Sequence, residues 1–441
     1  MALSSLVSVL EESNLTEELV KRIKRNERLT ICGGKRTERA LIASAITKRC
    51  NSSILVVVPT IEEAAKWFDL LQLMGWNNTY LYPSNEASPY ENNDYPNELI
   101  WGQLQVLSEL ITSKNHSNIA IIATERSLQP HLPPREIFER KIINLSKGKE
   151  YDIFQLSVEL TNLGYSRVNT IEQEGTWSRR GDILDIFPVS NEIPIRLEYF
   201  GDVIEKIREF DPVTQRSLEE SKEINITPTN FNSLIAEKLT ETLPPIIEQF
   251  LTEEQIDNLM NKKTNIKGLG KLIGVAWDSP NNILDYLDLD TKVVIDERKR
   301  GVSHAKNWIA HVQQNYEEIV NQRKKDTLQK YPPNLHIPIE DSYKLLDSRI
   351  GFDMSEIIVN QKTENTFDLA SSKLEIYPHQ FGKISLELKN LQSHRTKVWM
   401  LSAQPTRAVA LLEEHDMITK FISNPNDICA IKNVVNDRVP I

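Results

Sequence analysis

Cysteine is scarce in this sequence, and what little there is forms no pattern. Cys32, Cys50 and Cys429 are an odd set with no C-x-x-C spacing, which excludes a disulfide framework and a paired-thiolate zinc site. Idle or buried thiols are the expectation. The histidines are as uninformative: none of the eight sits in an H-E-x-x-H pair, and no G-x-S-x-G elbow is present, so neither zinc peptidase nor serine hydrolase chemistry is indicated. His304 and His311 fall on one face of a helical stretch with no third ligand in sight, which predicts a structural role and no metal. No apolar run is long enough to cross a bilayer, and the opening MALSSLVSVLEESN lacks a basic leader; a cytoplasmic protein without membrane contact is expected. Excess positive charge is missing too. A net charge of -10 leaves no broad basic surface to displace counterions from nucleic acid, so any such contact must be local.

A working phosphate loop is also absent. The form G-x-x-x-x-G-K-[ST] needs a hydroxyl to hold magnesium and a lysine to reach the terminal phosphates. Gly33, Gly34 and Lys35 follow a strand and precede a helix, the right setting for phosphate-cradling amides, yet Arg36 stands at the hydroxyl position and Leu29 where the first glycine belongs. The Gly-Lys pairs at Gly148, Gly270 and Gly382 are followed by Glu, Leu and Ile. Asp296 and Glu297, after a buried-type strand, resemble a metal-holding acidic end; without a hydroxyl ligand they read as a solvated strand end. This loop is therefore expected to be degenerate and free of nucleotide.

What is present is a multidomain globular chain. Its 441 residues are 40% hydrophobic and 26% charged, enough for about three or four domains with cores of their own. Residues 1–26 read as N-terminal amphipathic helices. LTICGG, TERALIASAITKR, SILVVVPT and IEEAAKWFDLLQLMG then alternate strand and helix, and a continuous apolar strand such as SILVVVPT is covered on both faces, as in a parallel sheet. NIAIIATERS adds a further strand after the helical ELIWGQLQVLSELITS, and the prolines of QPHLPPRE mark a boundary. Residues 27–129 are thus the first part of an α/β domain. A β-rich unit follows at 130–211, and 212–325, with the strand TKVVIDERKR, returns to the α/β domain, so the β-unit is inserted. A polar, proline-bearing linker is expected at 326–350. A small α/β domain is expected at 351–441, from strand signals KLEIYP and KVWMLSA and helix signals HQFGKISLELKNLQS and QPTRAVALLEEH. The seven tryptophans, Trp67, Trp76, Trp101, Trp177, Trp277, Trp308 and Trp399, are dispersed and expected in cores.

The most specific stretch is EGTWSRRGDILDIFPVSNEIPIRLEYFGDVIEKIREFDPVTQRS, residues 174–217. Strand signals at 182–187, 193–200 and 203–210 are separated by Pro188, Asn191 and the Gly201-Asp202 pair, a two-residue hairpin signal. Along 195–200 the side chains alternate: Ile195, Leu197 and Tyr199 point one way, Arg196, Glu198 and Phe200 the other. Phe187, Ile183 and Leu197 are expected in the core. Arg179 and Arg180 precede the strand at 182, and arginine is the side chain suited to bidentate carboxylate pairing across an interface.

RRGDILDIFP followed by IRLEYFGDVIEKIREFDPVTQRS closely resembles a segment of the bacterial transcription-repair coupling factors, whose relative UvrB carries a similar motif. The ending FDPVTQRS favours the coupling factors, and MALSSLVSVLEES with ERLTICGGKRTERALIASAI resembles the start of a cyanobacterial-type member. The resemblance is dense over about 27–135 and 160–217 and thin after about 220. It implies a degenerate RecA-like motor domain in two sequence pieces, interrupted by a small domain that contacts UvrA. It also implies that the UvrA-binding residues are Arg180 of the R-G-[DE] unit, Arg196 and Glu198 of the R-[LVI]-E unit, and Arg167 in GYSRV. The complete family member binds RNA polymerase and double-stranded DNA and drives translocation with ATP and magnesium; those parts are not in this sequence, so a fragment or truncated gene product without a cofactor, and with its UvrA surface constitutively exposed, is expected. Two alternatives stand beside this: a UvrB-like repair helicase that binds ATP at residues 33–37, and a direct DNA-binding module using Lys21, Arg22, Lys24, Arg25 and Arg28.

Overall fold

The computed structural model describes residues 3–25, 27–90, 96–113, 118–248, 251–263, 266–279, 281–323, 335–357, 365–369, 380–394, 398, 400, 402, 404–419 and 421. Two helices, α1 (Ser4–Glu11) and α2 (Asn14–Ile23), lead into β1 (Leu29–Cys32), α3 (Arg36–Arg49), β2 (Ile54–Val58), α4 (Ile61–Leu73), β3 (Asn78–Leu81), α5 (Asn97–Thr112) and β4 (Ile119–Thr124). The next stretch holds α6 (Arg135–Glu139), β5 (Ile143–Ser146), α7 (Ile153–Asn162), β6 (Ser166–Arg167), β7 (Thr176–Arg180), β8 (Ile183–Phe187), β9 (Ile195–Phe200), β10 (Val203–Phe210), β11 (Ser217–Ser221) and β12 (Glu223–Ile226). After it come α8 (Asn232–Glu241), α9 (Pro245–Glu248), α10 (Glu253–Met260), β13 (Lys292–Asp296), α11 (Arg298–Arg323), α12 (Ile339–Asp347), β14 (Gly351–Ser355), β15 (Thr366–Asp368), α13 (Phe381–Ser393) and α14 (Pro405–Glu413).

Seven strands form one parallel sheet in the order β15-β1-β14-β13-β2-β4-β3. The apolar runs explain its position between two layers. In β2, Ile54, Val56 and Val58 join the core beneath α1 to α4, whereas Leu55 and Val57 join the core on the other side. Strict alternation of faces along a strand makes every residue of ILVVV buried. Six further strands, in the order β11-β10-β9-β8-β7-β6, make a separate sheet that is antiparallel except for the β6–β7 pair. β12 pairs with β5 in a small ribbon beside it. The architecture is therefore α/β, with a mixed β-sheet inserted between β4 and β13 and helices at the C-terminal end.

Four expectations need correction. The inserted unit does not stop at 211: β11 adds an edge strand to its sheet and β12 pairs with β5 in the adjoining ribbon as far as Ile226, and β11 (SLEES) was hidden because a largely exposed edge strand carries little apolar signal. The stretch 326–350 is not all linker, since 339–347 forms α12, with Ile339, Tyr343 and Leu346 buried and Ser342 Oγ donating to the buried Glu125. Residues 351–368 do not begin a separate unit, because β14 and β15 flank β1 in the seven-stranded sheet. Ile183, expected in the core, is 39% exposed, because it faces away from α7. The helix signals near the C-terminus correspond to α13 and α14; the strand signal KLEIYP, most of KVWMLSA, Trp399 and Cys429 lie outside the described residues.

Candidate partner-binding face

The inserted sheet has two unlike faces. One is packed: Trp177 (β7), Leu184 and Ile186 (β8), Ile195, Leu197 and Tyr199 (β9), and Ile204 and Ile207 (β10) are all buried, with Leu156 and Leu160 of α7 in the same core. The other carries Arg180, Ile183, Asp185, Arg196, Glu198, Phe200, Lys206 and Arg208. The register brings them side by side, with Arg180 opposite Ile183, Ile183 opposite Glu198, Asp185 opposite Arg196, and Glu198 opposite Lys206. Gly201 shapes the end of this face. At φ 62° it closes a two-residue hairpin in which Phe200 pairs with Val203.

The four residues assigned by resemblance occupy three environments. Arg180 is exposed, and its Nη2 donates to the Asn169 carbonyl at 2.7 Å and to Thr170 at 3.3 Å. These bonds fix the side chain without consuming its charge. Arg167, also exposed, lies 5.3 Å above the Trp177 ring, and with Arg179 and Arg180 it lines a shallow cleft of about 450 Å³. Arg179 packs 3.8 Å over the Phe154 ring. Three cations thus share the β6–β7 end of the sheet, free of any carboxylate in the cleft's described lining.

Arg196 is different. It grips Asp185 with two parallel bonds, Nε to Oδ1 at 2.7 Å and Nη2 to Oδ2 at 2.9 Å, and stacks 4.8 Å over Phe210. Only 20% of the side chain is exposed. The bonds to Asp185 are the main reason its guanidinium is held above the ordinary arginine pKa. The segment FDPVTQRS explains the cover: Asp211 Oδ1 accepts from the Val213 and Thr214 amides, and this turn delivers Gln215, whose carbonyl accepts from Arg196 and whose amide reaches the Ile171 carbonyl. Arg196 therefore closes a pair within the sheet, on the same face as Arg180 and Glu198. Glu198 lies between Lys206 (3.7 Å) and Arg208 (3.4 Å), a rim of partly exposed charges.

Sequence reasoning passed over Phe200, which is 79% exposed. The alternation had already placed it on the same side as Arg196, and an aromatic residue on the uncovered side of a strand was the available signal. Phe200, Ile183 and Arg180 give the open face what a hot spot needs: apolar area next to a cation.

The degenerate phosphate loop is filled from within. Gly33 (φ 80°) and Gly34 (φ 77°) turn the chain into α3. The fully buried Arg39 of that helix spans the loop and the end of β13: it donates to the Gly34 carbonyl at 3.0 Å and pairs with Asp296 at 2.9 Å and Glu297 at 3.3 Å. Trp67 Nε1 donates to Asp296 at 2.8 Å. Burial pushes the Asp296 carboxyl up, and Arg39 and Trp67 oppose that shift. Arg36, at the hydroxyl position, pairs with Glu63, which also holds Arg300 at 2.8 Å. Asp296 and Glu297 are thus not a solvated strand end, as expected from sequence; they are internal counterions. Lys35 caps α3 with its backbone. Of the basic residues near the N-terminus, Lys21, Arg22 and Arg28 are engaged by Glu17, Glu27 and Asp347 with Asp353. His304 and His311 are both exposed, and no cluster of three metal-ligating side chains exists among the described residues.

A parallel α/β scaffold carrying an inserted sheet with one open, cation-edged face is the class of protein defined here. Residues 143–231 match the UvrB interaction domain and residues 373–441 match the cyanobacterial Mfd Rossmann-like domain. The chain is 23% identical over 416 residues to the transcription-repair-coupling factor of Bacillus subtilis, covering 86% of this chain and 34% of that protein. With the Haemophilus influenzae factor it shares 24% identity over 410 residues, covering 90% and 34%. With that of Staphylococcus aureus MRSA252 it shares 29% over 270 residues, covering 57% and 22%. The chain corresponds to the N-terminal region of the transcription-repair coupling factor family. It spans about a third of the length of the first two relatives.

Proposed function

We propose that this region recruits UvrA, the damage-recognition protein of nucleotide excision repair, through the open face of the inserted sheet, and that its α/β scaffold neither binds nor hydrolyses ATP. The observation that carries the recruiting role is the exposed Arg180, held in place by Asn169 with its charge unspent, beside exposed Ile183 and Phe200. A desolvated arginine flanked by apolar area is the arrangement that dominates binding energy in protein interfaces. Arg196 and Glu198 support it from the same face, and Arg167 extends the cationic edge. RNA polymerase, double-stranded DNA and ATP belong, in this reading, to the remainder of a full-length coupling factor.

Replacing Arg180 by glutamate should weaken the affinity for UvrA about tenfold, about 1.4 kcal/mol, with the melting temperature unchanged. Unaltered affinity in a folded R180E protein would contradict the assignment. The silent scaffold has its own test. With ATP, magnesium and duplex DNA, the purified chain should release no phosphate above background, because the Asp296 and Glu297 carboxylates that could hold magnesium are already bound to Arg39. Steady DNA-stimulated release that is abolished by K35A would revive the ATP-dependent helicase reading.

A further inference from the structure

Helix α7 packs on the inserted sheet with one side only. Ile153, Leu156 and Leu160 are buried in the core, while Phe154, Ser157, Val158 and Thr161, spaced i, i+3, i+4 and i+7, share the outward side. A surface helix ordinarily turns charged groups to water, yet this stripe carries none. Phe154 is 66% exposed and Val158 61%. The Ser157 and Thr161 hydroxyls donate to the carbonyls of Ile153 and Ser157, one turn back, so their protons are used within the helix. The neighbouring acid, Glu159, is engaged by Tyr151 and Gln155. An exposed phenylalanine and valine one turn apart form a continuous patch, unlike the single scattered apolar residues of an ordinary surface.

Arg179 ties this stripe to the open face of the sheet. β7 lies beside the two-residue edge strand β6, and alternation along β7 sends Arg179 to the side of Trp177 and α7 and Arg180 to the open side. The Arg179 guanidinium lies 3.8 Å over the Phe154 ring, and that of Arg167 5.3 Å over Trp177. Neither is engaged in an ion pair among the described residues. Arg167 and Arg179 line the same cleft as Arg180, so a cationic edge joins the open face to the apolar stripe of α7.

Area points the same way. A specific protein interface takes roughly 800 Å² and 20 or more residues from each partner, more residues than the open face presents. A protein seated on Arg180, Ile183 and Phe200 must therefore extend beyond them, and α7 offers uncovered apolar area joined to that face by cations.

We propose, resting on the reading that UvrA binds the open face, that the contact continues around the β6–β7 edge onto α7, with apolar side chains of UvrA on Phe154 and Val158 and acidic ones against Arg167 and Arg179. The affinity of the intact chain for purified UvrA tests this in two variants whose folding is verified by melting curves. F154S/V158S removes apolar area and no charge, and should weaken binding at least tenfold; R180E, which tests the open face, should weaken it about tenfold. Loss in R180E with wild-type affinity in F154S/V158S overturns the α7 contact and leaves the open face standing. Loss in F154S/V158S alone upholds the α7 contact and overturns the open face, and wild-type affinity in both overturns both. A second measurement needs no loss of binding: V158C, close in size to the native residue, should be alkylated by maleimide at position 158 at least tenfold more slowly in excess UvrA, and an unchanged rate there overturns the proposal.

Discussion

Single side chains decide most of what this region can do. Arg180 and Arg196 looked equivalent in sequence, two arginines near two β-strands, and the structure separates them by their neighbours. Arg180 is anchored by neutral carbonyl and hydroxyl oxygens, so its charge remains available, whereas Arg196 binds Asp185 through Nε and Nη2 along one edge of its guanidinium and the Gln215 carbonyl through Nη1. Cross-strand distance was not readable from one chain segment, so the Asp185 partner could not be anticipated. Another residue offers a pH test. His131 is buried, with Nδ1 against the Gln129 carbonyl and Nε2 against the Tyr82 hydroxyl, each at 2.6 Å. A carbonyl only accepts, so Nδ1 carries the proton and Nε2 accepts from Tyr82, which defines a neutral ring. Burial lowers its pKa to about 4 from 6.5. The folded state therefore binds fewer protons than the unfolded state between those values, and stability falls as pH drops from 6.5 toward 4. This group alone should remove about 2 kcal/mol by pH 5. Urea titrations at pH 7.5 and pH 5 should show a pH-dependent loss larger in the wild type than in H131N by that amount, and equal losses would refute it.

At the scale of elements, the apolar strands and amphipathic helices of the α/β domain were legible because burial on both faces leaves an uninterrupted run, as in ILVVV and IAIIAT. The hairpin at Gly201 was legible for the same kind of reason: one residue type supplies the backbone angle the turn requires. Edge elements were not. β6 has two residues, β11 is mostly polar, and β14 and β15 join the sheet far along the chain from β1, which no local pattern reveals. The price of that distant pairing is visible at Gly351. A Cβ there would lie 1.8 Å from the Val293 carbonyl oxygen of β13, a distance only backbone separation could relieve. G351A should thus force β13 and β14 apart and destabilise the domain by more than about 4 kcal/mol, the exceptional end of single substitutions. A soluble G351A protein with a wild-type melting temperature would show that this strand contact is looser than described.

For the whole molecule, the division of labour follows from where charge is neutralised. In the α/β scaffold, arginine and carboxylate side chains satisfy one another at the strand ends: Arg39 with Asp296 and Glu297, Arg36 and Arg300 with Glu63, and Arg28 and Arg298 with Asp347 and Asp353. The Arg39–Asp296 pair is fully buried, and breaking a buried pair is costly, so it holds the loop and the end of β13 in one arrangement. The degenerate loop was legible in sequence as a missing motif. That it is plugged was not, because Arg39 lies one helical turn beyond the motif and Asp296 more than 250 residues further along. The inserted sheet shows the opposite economy, with Arg180, Ile183 and Phe200 left uncovered. Gel filtration of the intact chain mixed with purified UvrA measures the consequence directly. The two should co-elute as a complex that survives dilution to micromolar concentration, and separate elution of a folded chain and active UvrA would contradict the account.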